Sequence, residues 1–129
     1  MKIRLLFTIT LTLGILSLTF VTSADGVSKR VKFAKGKHAA TVSNSVVRGD
    51  RDTYILGASG GQKMMAKITS LEKNAVFQIE NPDGEFLDGA GETDDAMTWE
   101  GTLPDNGDYK IIVGGTRGNA RYQLTVSIR

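Results

Sequence analysis

The chain contains no cysteine and only one histidine, and these two shortages exclude several classes of chemistry. Without cysteine there is no disulfide, no thiolate metal site and no lipid attached to a cysteine. Nucleophilic catalysis needs a base to activate the nucleophile, and His38 is expected to lie exposed at the start of a strand. We therefore predict a protein that is not an enzyme, has no catalytic residues and needs neither a metal nor a cofactor.

Long apolar runs are also missing, apart from one near the N-terminus. Residues 5–20 carry no charge, follow two basic residues and lead into small residues that end at Ala24. A membrane-spanning helix needs about 20 mostly apolar residues, whereas a basic start, a short apolar segment and small residues are typical of a secretory signal. We expect residues 1–24 to be a signal peptide cleaved after Ala24. Residues 25–129 would then form one exported domain without a membrane anchor, in the periplasm or outside the cell.

Charge of one sign does not dominate either. The full chain has 16 Lys plus Arg and 14 Asp plus Glu. Removal of residues 1–24 takes away two basic residues and no acid, which leaves 14 minus 14, a net charge of zero. A neutral domain has no overall field to attract nucleic acid or an anionic membrane, so neither is expected as a partner.

What the sequence has in abundance is alternation of apolar and polar residues with a period of two. The clearest segments are 31–33, 64–69, 75–80, 109–113 and 122–128. Such alternation places one set of side chains on a buried sheet face and the other on a solvated face. Turn residues (Gly, Asn, Asp and Pro) separate the segments at short intervals. The pattern predicts an all-β fold, an antiparallel β-sandwich of about eight short strands.

One segment breaks this pattern. Residues 83–95 are rich in glycine and acidic residues, and we expect a long loop with at most a short strand at 85–87. The loop holds oxygen ligands of the kind that Ca²⁺ prefers, although their spacing matches no known calcium motif: Asp88, Glu92, Asp94 and Asp95. A carbohydrate- or calcium-binding module of the cell envelope is therefore an alternative function. In such a module Trp99 would stack on a sugar ring. Trp99 lies two residues after Met97, on the same face of the predicted strand, and this spacing favours a core position.

The connection between the last two predicted strands carries two arginines four residues apart, Arg117 and Arg121, among several glycines. A guanidinium group is suited to paired hydrogen bonds with a carboxylate. Solvated charge at the tip of a hairpin is the alternative interpretation of the same pattern.

Several stretches spread over nearly the whole mature chain carry a resemblance to known proteins: Val31-Lys32-Phe33-Ala34-Lys35-Gly36, Gly49-Asp50-Arg51-Asp52-Thr53-Tyr54, Gly61-Gln62-Lys63, Leu103-Pro104, Gly107-Asp108-Tyr109 and Thr116-Arg117-Gly118-Asn119-Ala120-Arg121. The chain resembles the bacterial periplasmic inhibitors of goose-type (g-type) lysozyme. The Gly-Asp-Tyr stretch and the last strand also resemble the wider pre-peptidase C-terminal β-sandwich family, a likeness of turn and core residues that concerns the fold.

The resemblance implies a β-sandwich that inserts loops into the cleft of a lysozyme. Arg117 and Arg121, with Asn119 in the same loop, would bind carboxylates of the cleft, and a β-hairpin around Asp50 and Arg51 would contact the cleft beside them. Asp50 stands where the family members compared have tyrosine, so an aromatic anchor is replaced by a negative charge. The expected partner is a lysozyme of the g-type.

Overall fold

The computed structural model describes residues 26–129, so the predicted signal peptide and its cleavage site lie outside the described residues. Within this range no helix is long and apolar enough to cross a membrane. The described chain has eight strands: β1 (Ser28–Arg30), β2 (Ala39–Val46), β3 (Asp52–Ala58), β4 (Lys63–Ser70), β5 (Ala75–Glu80), β6 (Thr98–Thr102), β7 (Gly107–Gly115) and β8 (Ala120–Ile128). The predicted all-β fold of about eight short strands is confirmed.

The strands form two four-stranded sheets, with the orders β1-β3-β7-β5 in the first and β2-β8-β4-β6 in the second. All neighbours are antiparallel except β1 and β3, which run parallel. Odd-numbered strands lie in one sheet and even-numbered strands in the other. Every connection between consecutive strands of the described chain therefore crosses from one sheet to the other.

This topology corrects one structural expectation. Asp50 and Arg51 do not lie in a β-hairpin, because β2 and β3 belong to different sheets. The connection that holds Arg117 is likewise a crossing between β7 and β8. Turn residues specify that the chain reverses, but the same residues serve a hairpin within a sheet and a crossing between sheets about 10 Å apart.

The core lies between the sheets and follows the predicted alternation. Along β4, Met64, Ala66 and Ile68 are buried while the residues between them are exposed. In β5, β7 and β8 the buried residues likewise alternate with residues that are exposed or half-buried. In β8 the buried set continues to Ile128 without a break. Because β4, β5, β7 and β8 each bury one complete face, a slip in register by one residue would expose that face to water.

The first strand begins earlier than the sequence pattern indicates. β1 covers Ser28–Arg30, and the predicted pair Val31 and Phe33 follows it, half-buried against the core. The Arg30 guanidinium holds both carboxylate oxygens of Asp108, at 3.0 and 2.6 Å. These hydrogen bonds keep the pKa of Asp108 below its ordinary value. This exposed ion pair links β1, a three-residue edge strand, to β7, which lies on the other side of β3.

The acidic segment 83–95 is an irregular connection that runs along the free edge of β5. Leu87 N donates to Ile79 O at 2.8 Å, Ile79 N donates to Ala90 O at 3.0 Å, and Phe77 N donates to Ala96 O at 2.9 Å. The segment contributes one isolated bridge, from Phe86 to Glu80, and no strand at 85–87, and the following Ala96 forms a second bridge with Phe77. It satisfies backbone groups that an edge strand would otherwise leave open to other chains.

Replacement of Ile111 by alanine tests the position of the core. Ile111 is fully buried in β7, and loss of such a side chain leaves a cavity, so Ile111→Ala should lower the free energy of unfolding by about 2–5 kcal/mol in urea denaturation. The neighbouring Lys110 points to solvent, and Lys110→Ala should change it by less than about 0.5 kcal/mol. Equal effects of the two substitutions would contradict the assigned faces of β7.

Candidate functional site

Three short connections meet at one end of the sandwich, which we call the loop end: residues 47–51 between β2 and β3, 71–74 between β4 and β5, and 116–119 between β7 and β8. In the first sheet β7 lies between β3 and β5, and in the second β8 lies between β2 and β4. The 116–119 connection therefore occupies the centre, with one of the other connections on each side.

Hydrogen bonds fasten the central connection to both neighbours. On one side Arg48 N donates to Asn119 Oδ1 at 2.8 Å. On the other side the buried Asn74 amide donates to Arg117 O at 3.2 Å and to Asn119 O at 3.0 Å, while Thr116 N donates to Asn74 O at 2.8 Å. The loop end is consequently held in one arrangement before any partner arrives.

Arg117 and Arg121 both lie beside the 71–74 connection. The Arg117 side chain is exposed and donates from Nη2 to Glu72 O at 2.9 Å. Arg121 is the second residue of β8, points outward from the second sheet and lines a shallow pocket with Glu72 and Asn74. Within residues 26–129 the one ion pair joins Arg30 and Asp108. Neither Arg117 nor Arg121 is thus neutralised by a carboxylate of the described chain.

Asp50 and Arg51 belong to the loop end but lie on the side of the first sheet. Arg51 Nη1 donates to Gln78 Oε1 at 3.4 Å, and Asp50 N donates to Val47 O at 2.9 Å. Both residues line a groove of about 370 Å³ together with acidic residues of the 83–95 segment. The structure therefore brings all five predicted contact residues to one end, without gathering them into one cluster.

The charge of the loop end differs from that of the whole domain. The three connections and Arg121 carry five basic and two acidic residues: Arg48, Arg51, Lys73, Arg117 and Arg121, with Asp50 and Glu72. Five minus two gives a local charge of +3, although the predicted mature chain is neutral. A basic surface on a neutral protein provides local attraction to a carboxylate-rich partner.

A buried hydrogen-bond network lies directly below the 47–51 connection. The Asp52 carboxylate accepts hydrogen bonds from Val27 N at 2.9 Å, from Asn44 Nδ2 at 3.3 Å and from the Tyr122 hydroxyl at 2.5 Å. The Tyr54 hydroxyl bonds to that of Tyr122. Burial raises the pKa of both tyrosines, so both hydroxyls stay protonated and Tyr122 donates to the carboxylate. The network joins β2, β3 and β8 to Val27, the residue directly before β1, below the loop end.

Sequence reasoning missed two features of this end. Asp52 directly follows the turn residues Gly49-Asp50-Arg51, but it shares the inward face of β3 with Tyr54 and Leu56. An acid in phase with buried residues indicates a buried polar group. Leu71 was overlooked, although it is an apolar residue inside the polar turn Ser70-Leu71-Glu72-Lys73-Asn74. The structure leaves its side chain 97% exposed.

The geometry gives no support to the calcium- or glycan-binding alternative. Residues 26–129 contain no group of three or more His, Cys, Asp or Glu side chains able to hold a metal ion. Asp94 Oδ2 accepts a hydrogen bond from Gly91 N at 2.7 Å. Trp99 Nε1 donates to Asp88 O at 2.8 Å, and the half-buried ring packs against the core.

The Asp52 network yields a prediction for two tyrosines. Tyr122→Phe removes a donor from a buried carboxylate and should lower the free energy of unfolding by about 1–3 kcal/mol in urea denaturation. Tyr54→Phe removes a hydroxyl whose partners, Tyr122 and Asn44, are both neutral, and it leaves the Asp52 donors in place, so its effect should be smaller. A larger loss for Tyr54→Phe would show that the carboxylate does not organise the network.

Comparison with known proteins gives matches among solved structures. No protein-family model and no curated protein sequence matches the chain. A periplasmic inhibitor of g-type lysozyme from Aeromonas hydrophila, PliG, is 32% identical, and the match covers 80% of this chain and 96% of that one with a TM-score of 0.69. PliG from Salmonella Typhimurium is 26% identical, with 81% and 99% coverage and a TM-score of 0.64.

A more distant structure shares the fold alone. The pre-peptidase C-terminal domain of a Bacillus anthracis collagenase is 15% identical, with 78% of this chain and 94% of that domain covered and a TM-score of 0.57. Both resemblances noted in the sequence are therefore found again among solved structures.

Proposed function

Because the chain belongs to the PliG family of periplasmic inhibitors of g-type lysozyme, we propose that it inhibits a lysozyme of the g-type by placing its loop end in the active-site cleft. The observation that carries this proposal is the pair Arg117 and Arg121. Both are exposed on a preformed surface, and neither has a carboxylate partner within residues 26–129.

The chemistry of the target explains how such a surface inhibits. Lysozymes cleave glycan chains with acidic side chains that flank the scissile bond. Arginine can bind a carboxylate through two parallel hydrogen bonds, so Arg117 and Arg121 would bind those acids and occupy the space that the glycan needs. The proposed inhibitor is a binding protein and performs no reaction itself.

Pre-organisation would contribute to the affinity. Binding proteins lose free energy when loops and long side chains become ordered at an interface. Here Asn74 and Asn119 already fix the central connection, and the Glu72 carbonyl already holds the Arg117 side chain. We assign Asn119 a dual role, as a contact residue and as the group that positions the 47–51 connection.

Asp50 and Arg51 would form the margin of the contact. Asp50 would repel cleft carboxylates if it lay at the centre, but it lies toward the first sheet and its neighbour Arg51 is basic. The local charge of +3 outweighs it. These two residues would therefore adjust which lysozyme is preferred, while Arg117 and Arg121 would supply most of the binding.

The proposed setting is the periplasm. Cleavage of the predicted signal peptide after Ala24 would release residues 25–129 as one β-sandwich domain without a membrane anchor. A lysozyme that reaches the peptidoglycan layer would meet the inhibitor there, and inhibition would protect the cell wall of the bacterium.

The proposal is tested by inhibition of cell-wall lysis with g-type, chicken-type and invertebrate-type lysozymes. We expect the exported protein to inhibit the g-type selectively. Loss of charge partners from a buried contact is worth about 2–5 kcal/mol, so Arg117→Ala plus Arg121→Ala should raise the inhibition constant by roughly 30-fold or more.

The matched control is Lys63→Ala plus Arg129→Ala, which removes the same charge from the opposite end of the sandwich. It should leave inhibition unchanged. Equal weakening by the two double variants would assign the effect to net charge rather than to the loop end. Full inhibition by the Arg117 and Arg121 variant would exclude these residues as the binding centre.

A further inference from the structure

Leu71 is the most exposed of the large apolar side chains in residues 26–129, with 97% of its surface open to solvent. Single exposed apolar residues are common on proteins and need no explanation by themselves. The position of Leu71 distinguishes it, because its backbone adjoins Glu72, whose carbonyl holds Arg117, and it lines a pocket with Arg121.

Hydrogen bonds hold the backbone of the turn that carries Leu71. Lys73 adopts a left-handed φ of 51°, and its N–H donates to Ser70 O at 3.1 Å. The Ser70 hydroxyl oxygen accepts from Asn74 N at 3.0 Å and from Ala75 N at 3.3 Å. These hydrogen bonds fix the backbone on which Leu71 is carried, so little backbone freedom is lost when a partner covers its side chain.

A second exposed apolar residue lies across the loop end. Val47, in the 47–51 connection, is 55% exposed. The central arginine connection thus has an apolar residue on each side, and Leu71 is the more exposed of the two. Ligand clefts combine mostly apolar walls with a few charged groups. The loop end matches such a cleft, because its arginines can pair with the charged groups while Val47 and Leu71 face the apolar walls.

We propose that Leu71 is an apolar anchor of the inhibitor, which packs against an uncharged apolar wall of the lysozyme cleft beside the carboxylates that the arginines bind. This inference rests on the proposed function and deepens it by adding the 71–74 turn to the contact. Burial of Leu71 would exclude water from the neighbouring Arg117 and Arg121 pairs, which strengthens charged hydrogen bonds.

The test measures inhibition constants of the exported protein against the lysozyme that it inhibits most strongly. Leu71→Ala should weaken inhibition about tenfold or more, because it removes apolar side-chain surface that the complex would bury. Leu71→Asp should weaken it further, since it adds a negative charge beside the cleft carboxylates. Leu71→Met keeps apolar volume and should restore most of the inhibition.

Met65→Ala is the matched control, because Met65 is an exposed apolar residue in the middle of the outer face of the same strand that leads into the turn. It should leave inhibition unchanged, and the melting temperature of Leu71→Ala should equal that of the unaltered protein. If the unaltered protein inhibits while Leu71→Ala inhibits equally well, the anchor is refuted and the proposed function stands. If the unaltered protein inhibits no lysozyme, the proposed function fails and the anchor falls with it.

Discussion

Consecutive strands never share a sheet within residues 26–129, and the rest of the structure depends on this alternation. Each sheet is held together by pairs such as β2 with β8 and β3 with β7, which are far apart in the sequence. No local hairpin can form first and guide the rest, so the chain must close long loops before its contacts stabilise it. The same alternation sends one connection after another over the two ends of the sandwich, where a contact surface can be built.

The loop end shows how a neutral domain acquires a charged surface without losing order. Its basic residues lie on short connections and, for Arg121, at the start of β8, and buried or half-buried polar groups hold those connections from below. The Asn74 amide holds the central connection, and the Asp52 carboxylate lies below the 47–51 connection. Apart from Asn119, which does both, the side chains that would contact a partner are therefore distinct from those that fix the backbone, so the other exposed residues can vary with little effect on the fold.

The sequence predicted the buried faces well and the strand pairing poorly, for physical reasons. Burial follows a local period of two, so Met64, Ala66 and Ile68 could be assigned to the core from their spacing alone. Strand pairing depends on which strands, distant in the sequence, come to lie side by side in a sheet. A turn signal such as that at Gly49 is the same in the sequence whether the chain returns to its own sheet or crosses to the other. The arginines could be selected by residue type and family resemblance. The exposure of Leu71 and the role of Asp52 depend on neighbours that only the folded chain supplies.

The connections at the loop end have a mechanical role besides presenting side chains, because each of them links the two sheets covalently. Proteases cut chains that open locally or globally, and separation of the sheets would be the opening that exposes the core. A partner that encloses the loop end would hold the three connections together and keep the sheets closed. It would stabilise the folded state by an amount that grows with the logarithm of its concentration relative to its Kd. An inhibitor molecule bound to its target would therefore resist proteolysis for longer than a free one, so that exposure to the target would lengthen the lifetime of the inhibitor.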